Sequence, residues 1–256
     1  VARWMGPETF GLYSLFIVIL ILGNDVLGDG LNPGVVRDYA LHSEHSALRG
    51  AEVLSTALIL RMALGIPVAV VGTVVALSAS SWSSQNEAYV APLALGLIGS
   101  FGAALLSFTL ATWQARQAFV SYALTAAAVN TLRLASAVIL FAFSSFTLAL
   151  VMGLHVVFYY LCAGFTLWRL WPTLAGLRFD PELLRALLRF SKWPALASFC
   201  FVLQSNLAVP VLMYTANAAE AGIYAAGASL LMLIDFLTVS LLTTLLPRVS
   251  QLRTPD

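Results

Sequence analysis

The chain has 256 residues, 60% of them hydrophobic and 10% charged, with a mean hydropathy of +0.90. A soluble domain averages about 45–50% apolar and about 25% charged residues, so a single aqueous core is excluded and a bilayer is the solvent that fits. The net charge of +1 gives no footprint for nucleic acid, and Cys162 and Cys200 lie inside apolar runs, as small hydrophobes without a disulfide framework.

In chain order, Val1-Ala2-Arg3-Trp4-Met5-Gly6-Pro7 reads as the exit of an earlier helix. Apolar spans are predicted at 10–28, 53–77, 90–112, 118–142, 146–168, 193–214 and 222–246. Each is about 20 residues or more without strict alternation, enough to cross the hydrocarbon as a helix and too long for a barrel strand of about 10. The expected fold class is an all-α polytopic membrane protein with about seven transmembrane helices. Turn residues fill the connections, at Asp29-Gly30-Leu31-Asn32-Pro33-Gly34, at 78–89 and at Thr215-Ala216-Asn217. Trp82, Trp168, Trp171 and Trp193 fall at span ends, as interface anchors do. Asp180-Pro181-Glu182 has the pattern of a helix start. Leu183, Leu184, Leu187 and Leu188 then share a face that Arg185 and Arg189 avoid, which predicts a short amphipathic helix at the membrane surface. That helix divides the chain into most of one transmembrane lobe (1–170), a linker (171–192) and the start of a second lobe (193–256). The chain stops soon after Pro247-Arg248, and a fragment truncated at both ends is expected.

Alternating the loops tests the spans. One side (1–9, 78–89, 143–145, 215–221) holds a single basic residue, Arg3. The other (29–52, 113–117, 169–192, 247–256) holds ten: Arg37, Arg49, Arg116, Arg169, Arg178, Arg185, Arg189, Lys192, Arg248 and Arg253. A wrong span count would scramble this segregation, so the second set is predicted to be cytoplasmic. A weak internal echo accompanies it. A shift of 211 residues lays Gly11-Leu12-Tyr13 on Gly222-Ile223-Tyr224, Asn24 on Asp235 and Arg37 on Arg248. Repeated halves with a midplane site between them are a transporter signature.

The stretch from Arg3-Trp4-Met5-Gly6-Pro7 to Tyr13, with Asp29-Gly30-Leu31-Asn32-Pro33 and Arg37, resembles the opening of bacterial polysaccharide flippases. These are the O-antigen and exopolysaccharide exporters of the multidrug/oligosaccharidyl-lipid/polysaccharide (MOP) superfamily. Arg178-Phe179-Asp180 to Phe190, Ala221-Gly222-Ile223-Tyr224 and Leu246-Pro247-Arg248 are similar to the start of their second lobe. The resemblance implies a two-lobe fold of twelve to fourteen helices, of which this chain would hold helices two to eight. It implies a bacterial inner-membrane protein that carries a lipid-linked oligosaccharide, on undecaprenyl pyrophosphate, to the periplasmic face. It implies no cofactor, and partners among membrane lipids, a coupling cation or proton and other polysaccharide-assembly proteins. Ala208 stands where the family's seventh helix often has an Asp, which counts against a mechanism through that carboxylate; Gln204 and Asn206 keep polarity nearby.

Two arginines, Arg61 and Arg133, lie inside spans, where a guanidinium is rarely lipid-facing. Each either faces a cavity and holds the substrate's pyrophosphate, with Asn130, Gln204 and Asn206 as further contacts, or pairs with a carboxylate or helix-end carbonyls. Asp25 and Asp235 are read for ion coupling or charge pairing, and Asp29, Arg37 and Arg248 as turn, anchor or cytoplasmic-gate residues. His155 reads as a packing residue. His42, Glu44 and His45 have a loose metal-like spacing with no fourth ligand, so no metal site is expected. An ion-coupled multidrug exporter of the same superfamily and a membrane polysaccharide polymerase or ligase are the alternatives. Loop 78–89 is short for the catalytic domain the latter needs, and no phosphate-binding glycine loop or nucleophile elbow appears, so an enzyme is not expected.

Overall fold

The structure, a computed structural model, describes residues 5–44, 46–78, 87–143, 147–174 and 178–231. Among these residues it is helical with no strand. The helices are α1 (Pro7–Val26), α2 (Asn32–Ser43), α3 (Ala47–Leu77), α4 (Glu87–Ala115), α5 (Phe119–Ala142), α6 (Leu148–Leu170), α7 (Pro181–Asn206), α8 (Ala208–Thr215) and α9 (218–231). Six spans among the described residues are long and apolar enough to cross a membrane, and each overlaps one of the first six predicted, although the sixth runs over 181–206 and the predicted end of 193–214 falls on α8. Of the seventh, 222–246, the described part is helical and the rest lies outside the described residues, as do Trp82, Asp235 and Arg248.

Two elements differ from expectation. Residues 29–52 are not a loop: a 3-10 turn at Asp29–Leu31 leads into α2, and α3 begins at Ala47. The amphipathic stretch over 181–189 is not a separate surface helix. Asp180 caps it, accepting from the Glu182 and Leu183 amides at 2.8 and 3.4 Å, but the helix then runs on through Pro194 to Asn206. A proline interrupts one backbone bond, and a membrane helix tolerates that where neighbouring groups re-satisfy the freed carbonyl.

α4 is the central post. In its most apolar stretch 67% of residues are buried, against 11% in α5. Small residues let its neighbours come close: Gly96 faces Ile19 of α1, Gly99 faces Val156 of α6, and Gly102 faces Tyr160 of α6, where a methyl would stand about 3 Å from the facing side chain. One apolar core joins Leu27, Val35, Leu54, Phe101 and Phe108; another joins Phe16, Leu20, Met152 and Val156. α5 hangs on the outside, with Phe119, Val120, Leu124, Leu134 and Ile139 exposed.

A third core packs Leu12 and Val18 of α1 against Val209, Met213, Ala221 and Ala225 of α8 and α9. At its centre the two backbones nearly touch. A β-carbon on Gly11 would lie 1.9 Å from the carbonyl oxygen of Ala218, and one on Gly222 would lie 1.9 Å from that of Pro7. The 211-residue shift takes Pro7 to Ala218 and Gly11 to Gly222. Each half of the contact is therefore the image of the other, the self-complementary pattern expected about a two-fold axis.

Candidate functional site

Two polar clusters interrupt the apolar packing. The first is built where α1 ends. Gly28 adopts φ 131°, which an L side chain rarely takes, and so turns the chain from α1 into the 3-10 turn and α2. Into that corner reaches Arg61 from α3, only 1% exposed. Its Nη2 donates to the Gly28 carbonyl at 2.6 Å and to Oδ1 of Asn32, and its guanidinium lies 5.1 Å from the centre of the Phe108 ring. Asn32 in turn donates to Asp29 at 2.7 Å and to the Ser107 hydroxyl at 3.2 Å. A β-carbon at position 28 would stand 3.0 Å from Arg61 Nε, so the glycine also makes room for the cation.

The same corner carries the contacts to α7. Ser198 donates to Asp25, which is 7% exposed, at 2.5 Å. Arg37 pairs with Asp38 at 3.6 Å and lies 4.1 Å over the ring of Phe190. Thus Asp25, Asp29, Arg37 and Arg61 gather at one end of the bundle and link α1, α2, α3, α4 and α7. Arg61 bonds there through Nη2 to a helix-end carbonyl and a side-chain amide while its buried Nε has no partner, the pairing arrangement rather than the cavity one.

The second cluster lies about 22 Å away along α1, fifteen residues at about 1.5 Å each from Gly28 to Tyr13. A cavity of about 220 Å³ opens between α1, α5 and α6, lined by Tyr13, Asn130, Arg133, Ser136, Val151 and His155 among others. Arg133 is half-buried; its Nη1 donates to the Tyr159 hydroxyl at 3.1 Å, with the ring centre 5.4 Å away. Among the described residues no carboxylate lies within 4 Å of it. His155 is 4% exposed. Its Nδ1 shares a hydrogen bond of 3.3 Å with Tyr13, its ring meets Phe16 edge-on at 5.5 Å, and its Nε2 has no partner. A guanidinium has five N–H donors, so most of those on Arg133 remain available. A cation without a counter-ion, beside an unused buried ring nitrogen in a low-dielectric setting, can receive an anionic group. The cavity is smaller than the roughly 300–1,000 Å³ that engulfs a drug-sized ligand, which suits a charged headgroup rather than a whole molecule.

Of the residues singled out in the sequence, Arg133 and Asn130 come together here. Gln204 is exposed on α7 and Asn206 donates to the Val202 carbonyl at 2.8 Å; neither lines this cavity. Tyr13, His155 and Tyr159 are additions. The signal for two of them was present, because His155 and Tyr159 are four residues apart and share a helix face.

The model of a family described as polysaccharide biosynthesis protein matches residues 1–253. No curated protein matches the chain. Among solved structures, the fold is similar to an inward-facing multidrug resistance MATE family transporter of the MOP superfamily, with a TM-score of 0.72 and 17% identity over 91% of this chain. The chain spans 56% of that transporter's length. At this identity the likeness is one of fold.

Proposed function

Because the chain belongs to the polysaccharide biosynthesis protein family, we propose that it forms one lobe, and the start of a second, of a transporter that flips lipid-linked oligosaccharide across the bacterial inner membrane. The observation that carries this reading is the uncompensated Arg133, set inside the membrane beside a cavity with Tyr13, Asn130 and His155. A lipid pyrophosphate is the anion such a site suits: its oxygens accept from several N–H donors at once. The sugar would extend away from the cavity and the polyprenyl chain toward lipid.

The rest of the geometry supports alternating access. Gly11 and Gly222 close one end of the contact between α1 and α9 backbone to backbone. On the orientation that the basic loops favour, that end is periplasmic, and the cluster of Asp25, Asp29, Arg37 and Arg61 is cytoplasmic. Rocking α8 and α9 away from α1 would open the glycine contact at the periplasmic end. In this reading Arg61 holds a corner of the lobe and does not touch substrate. The positive site counts against cationic drugs as cargo.

The test is complementation with the complete transporter in a strain that lacks its own flippase. Arg133→Ala should abolish surface polysaccharide at normal protein levels, and Arg133→Lys, which keeps the charge but not the fork, should restore only part of it. Normal surface polymer with Arg133→Ala would refute the site.

A further inference from the structure

A different cavity lies at the other end of the same two helices. It is a groove of about 330 Å³ between α5 and α6, and its lining is mostly apolar, with Leu124, Ala128 and Phe165 along its length. Its closed end is not apolar. Trp113, third from the end of α4, contributes its indole there; the residue is 7% exposed, and its Nε1–H has no acceptor. Two guanidinia flank that indole, each 5.9 Å from its ring: Arg169 at the end of α6 and Arg116 just past the end of α4. Both arginines are exposed, and among the described residues neither has a carboxylate within 4 Å.

We infer that this groove is a binding site for an anionic phospholipid, with the phosphate held by Trp113 Nε1 and the Arg169 guanidinium, Arg116 adding its charge from the adjoining cavity that it lines with Tyr39 and Pro172, and the first part of an acyl chain lying along Leu124 and Phe165. Three features converge on that occupant. A buried N–H without an acceptor is rare, because the unmade bond is costly, and a phosphate oxygen would satisfy it. Two unpaired cations beside it match a group of negative charge. The remainder of the groove is mostly apolar, with the Thr125 and Thr166 hydroxyls donating to carbonyls of their own helices, a lining that suits an alkyl chain. The residues are also at the right depth. Trp113, Ser121 and Arg169 all sit within three residues of a helix end, where headgroups and basic side chains meet. The bound lipid would brace α5, which with α7 is one of the two least buried spans, against α4 and α6, and α5 carries Arg133.

The experiment uses the purified, delipidated protein in detergent, with phosphatidylglycerol, phosphatidylcholine or inorganic phosphate added and bound lipid read by native mass spectrometry. Phosphatidylglycerol should remain bound at one per chain. Arg169→Gln should weaken it roughly fivefold, and Arg116→Gln with Arg169→Gln about twenty-five-fold, since each surface guanidinium contributes about a fivefold effect toward anionic lipid. Trp113→Phe keeps the ring and both charges and removes only the N–H; it should weaken binding a fewfold. Both arginines are exposed, so their variants should fold, which an unchanged melting curve in lipid-free detergent checks. Equal retention by the double variant, equal binding of phosphatidylcholine, or displacement of the lipid by millimolar phosphate would each overturn the proposal.

Discussion

Arg61 and Arg133 are each the fifteenth residue of a long apolar helix, α3 from Ala47 and α5 from Phe119, yet they end in opposite situations. Arg61 is closed in: a carbonyl, an amide oxygen and an aromatic ring take its guanidinium, and 1% of it is exposed. Arg133 is half-buried, gives one hydrogen bond to a phenol and faces an empty space. The difference teaches that the cost of an intramembrane charge is met in two ways. A charge enclosed by the chain's own groups, as Arg61 is although its Nε is left without a partner, fixes a shape. A charge left with unused donors beside a cavity is a place for something that arrives.

The largest expected contrast comes from deleting each in turn. Arg61→Ala leaves the Gly28 carbonyl and Asn32 without their buried partner and Asp29 without its counter-charge, and breaking a buried charged network costs about 3–5 kcal/mol. It should therefore lower the melting temperature in detergent and the amount of protein in membranes. Arg133→Ala should leave both nearly unchanged while transport is lost. Equal thermal losses in the two variants would erase the distinction. Gly28→Ala sharpens it from the other side: at φ 131° a side chain is strained by about 1–3 kcal/mol, and the methyl also crowds Arg61 Nε, so the loss should be of folding rather than of transport per molecule.

The glycine contact comes next in size. Gly11→Ala and Gly222→Ala each place a methyl 1.9 Å from a facing carbonyl, and overpacking of that kind costs about 1–3 kcal/mol. Because the two methyls would separate the same pair of helices, the double variant should cost clearly less than the sum, a coupling of roughly 0.5–3 kcal/mol in a double-mutant cycle. Additive effects would mean that α1 and α9 do not share this contact.

How much of this was legible in the sequence follows the same division. Spans were legible because a bilayer demands long apolar helices, and the ten-to-one segregation of loop charges fixed their number. α2 was not, since Asn32–Ser43 is a polar connection in which only Gly34, Val35 and Asp38 are buried, and its helicity depends on docking against α3, α4 and α7. The continuity of α7 was hidden by Lys192-Trp193-Pro194, which reads as a boundary until neighbours are known. The echo of Gly11 on Gly222 was visible but weak; only the crossing of the two backbones gives the two glycines a reason. Most of all, nothing in the sequence distinguishes Arg61 from Arg133, because what separates them is the partners that folding brings from 29 and 33 residues away for the one and a histidine and phenols for the other.

The smallest effect bears on whether the Arg133 cavity is a site or a gap. Tyr13→Phe removes a hydroxyl that reaches His155 at 3.3 Å, a hydrogen bond of about 0.5–1.5 kcal/mol. If the cavity is inert, the loss appears in the melting curve and nowhere else, because one buried bond has gone and nothing bound there. If an anion is received there, the freed His155 changes its orientation beside Arg133, and transport should fall severalfold at matched protein levels with a melting shift of only a few degrees. Tyr159→Phe provides the complementary case: it takes from Arg133 the phenol to which Nη1 donates and leaves His155 paired. A transport defect in both, with stability nearly intact, would assign the site to the space between the three side chains rather than to any one of them.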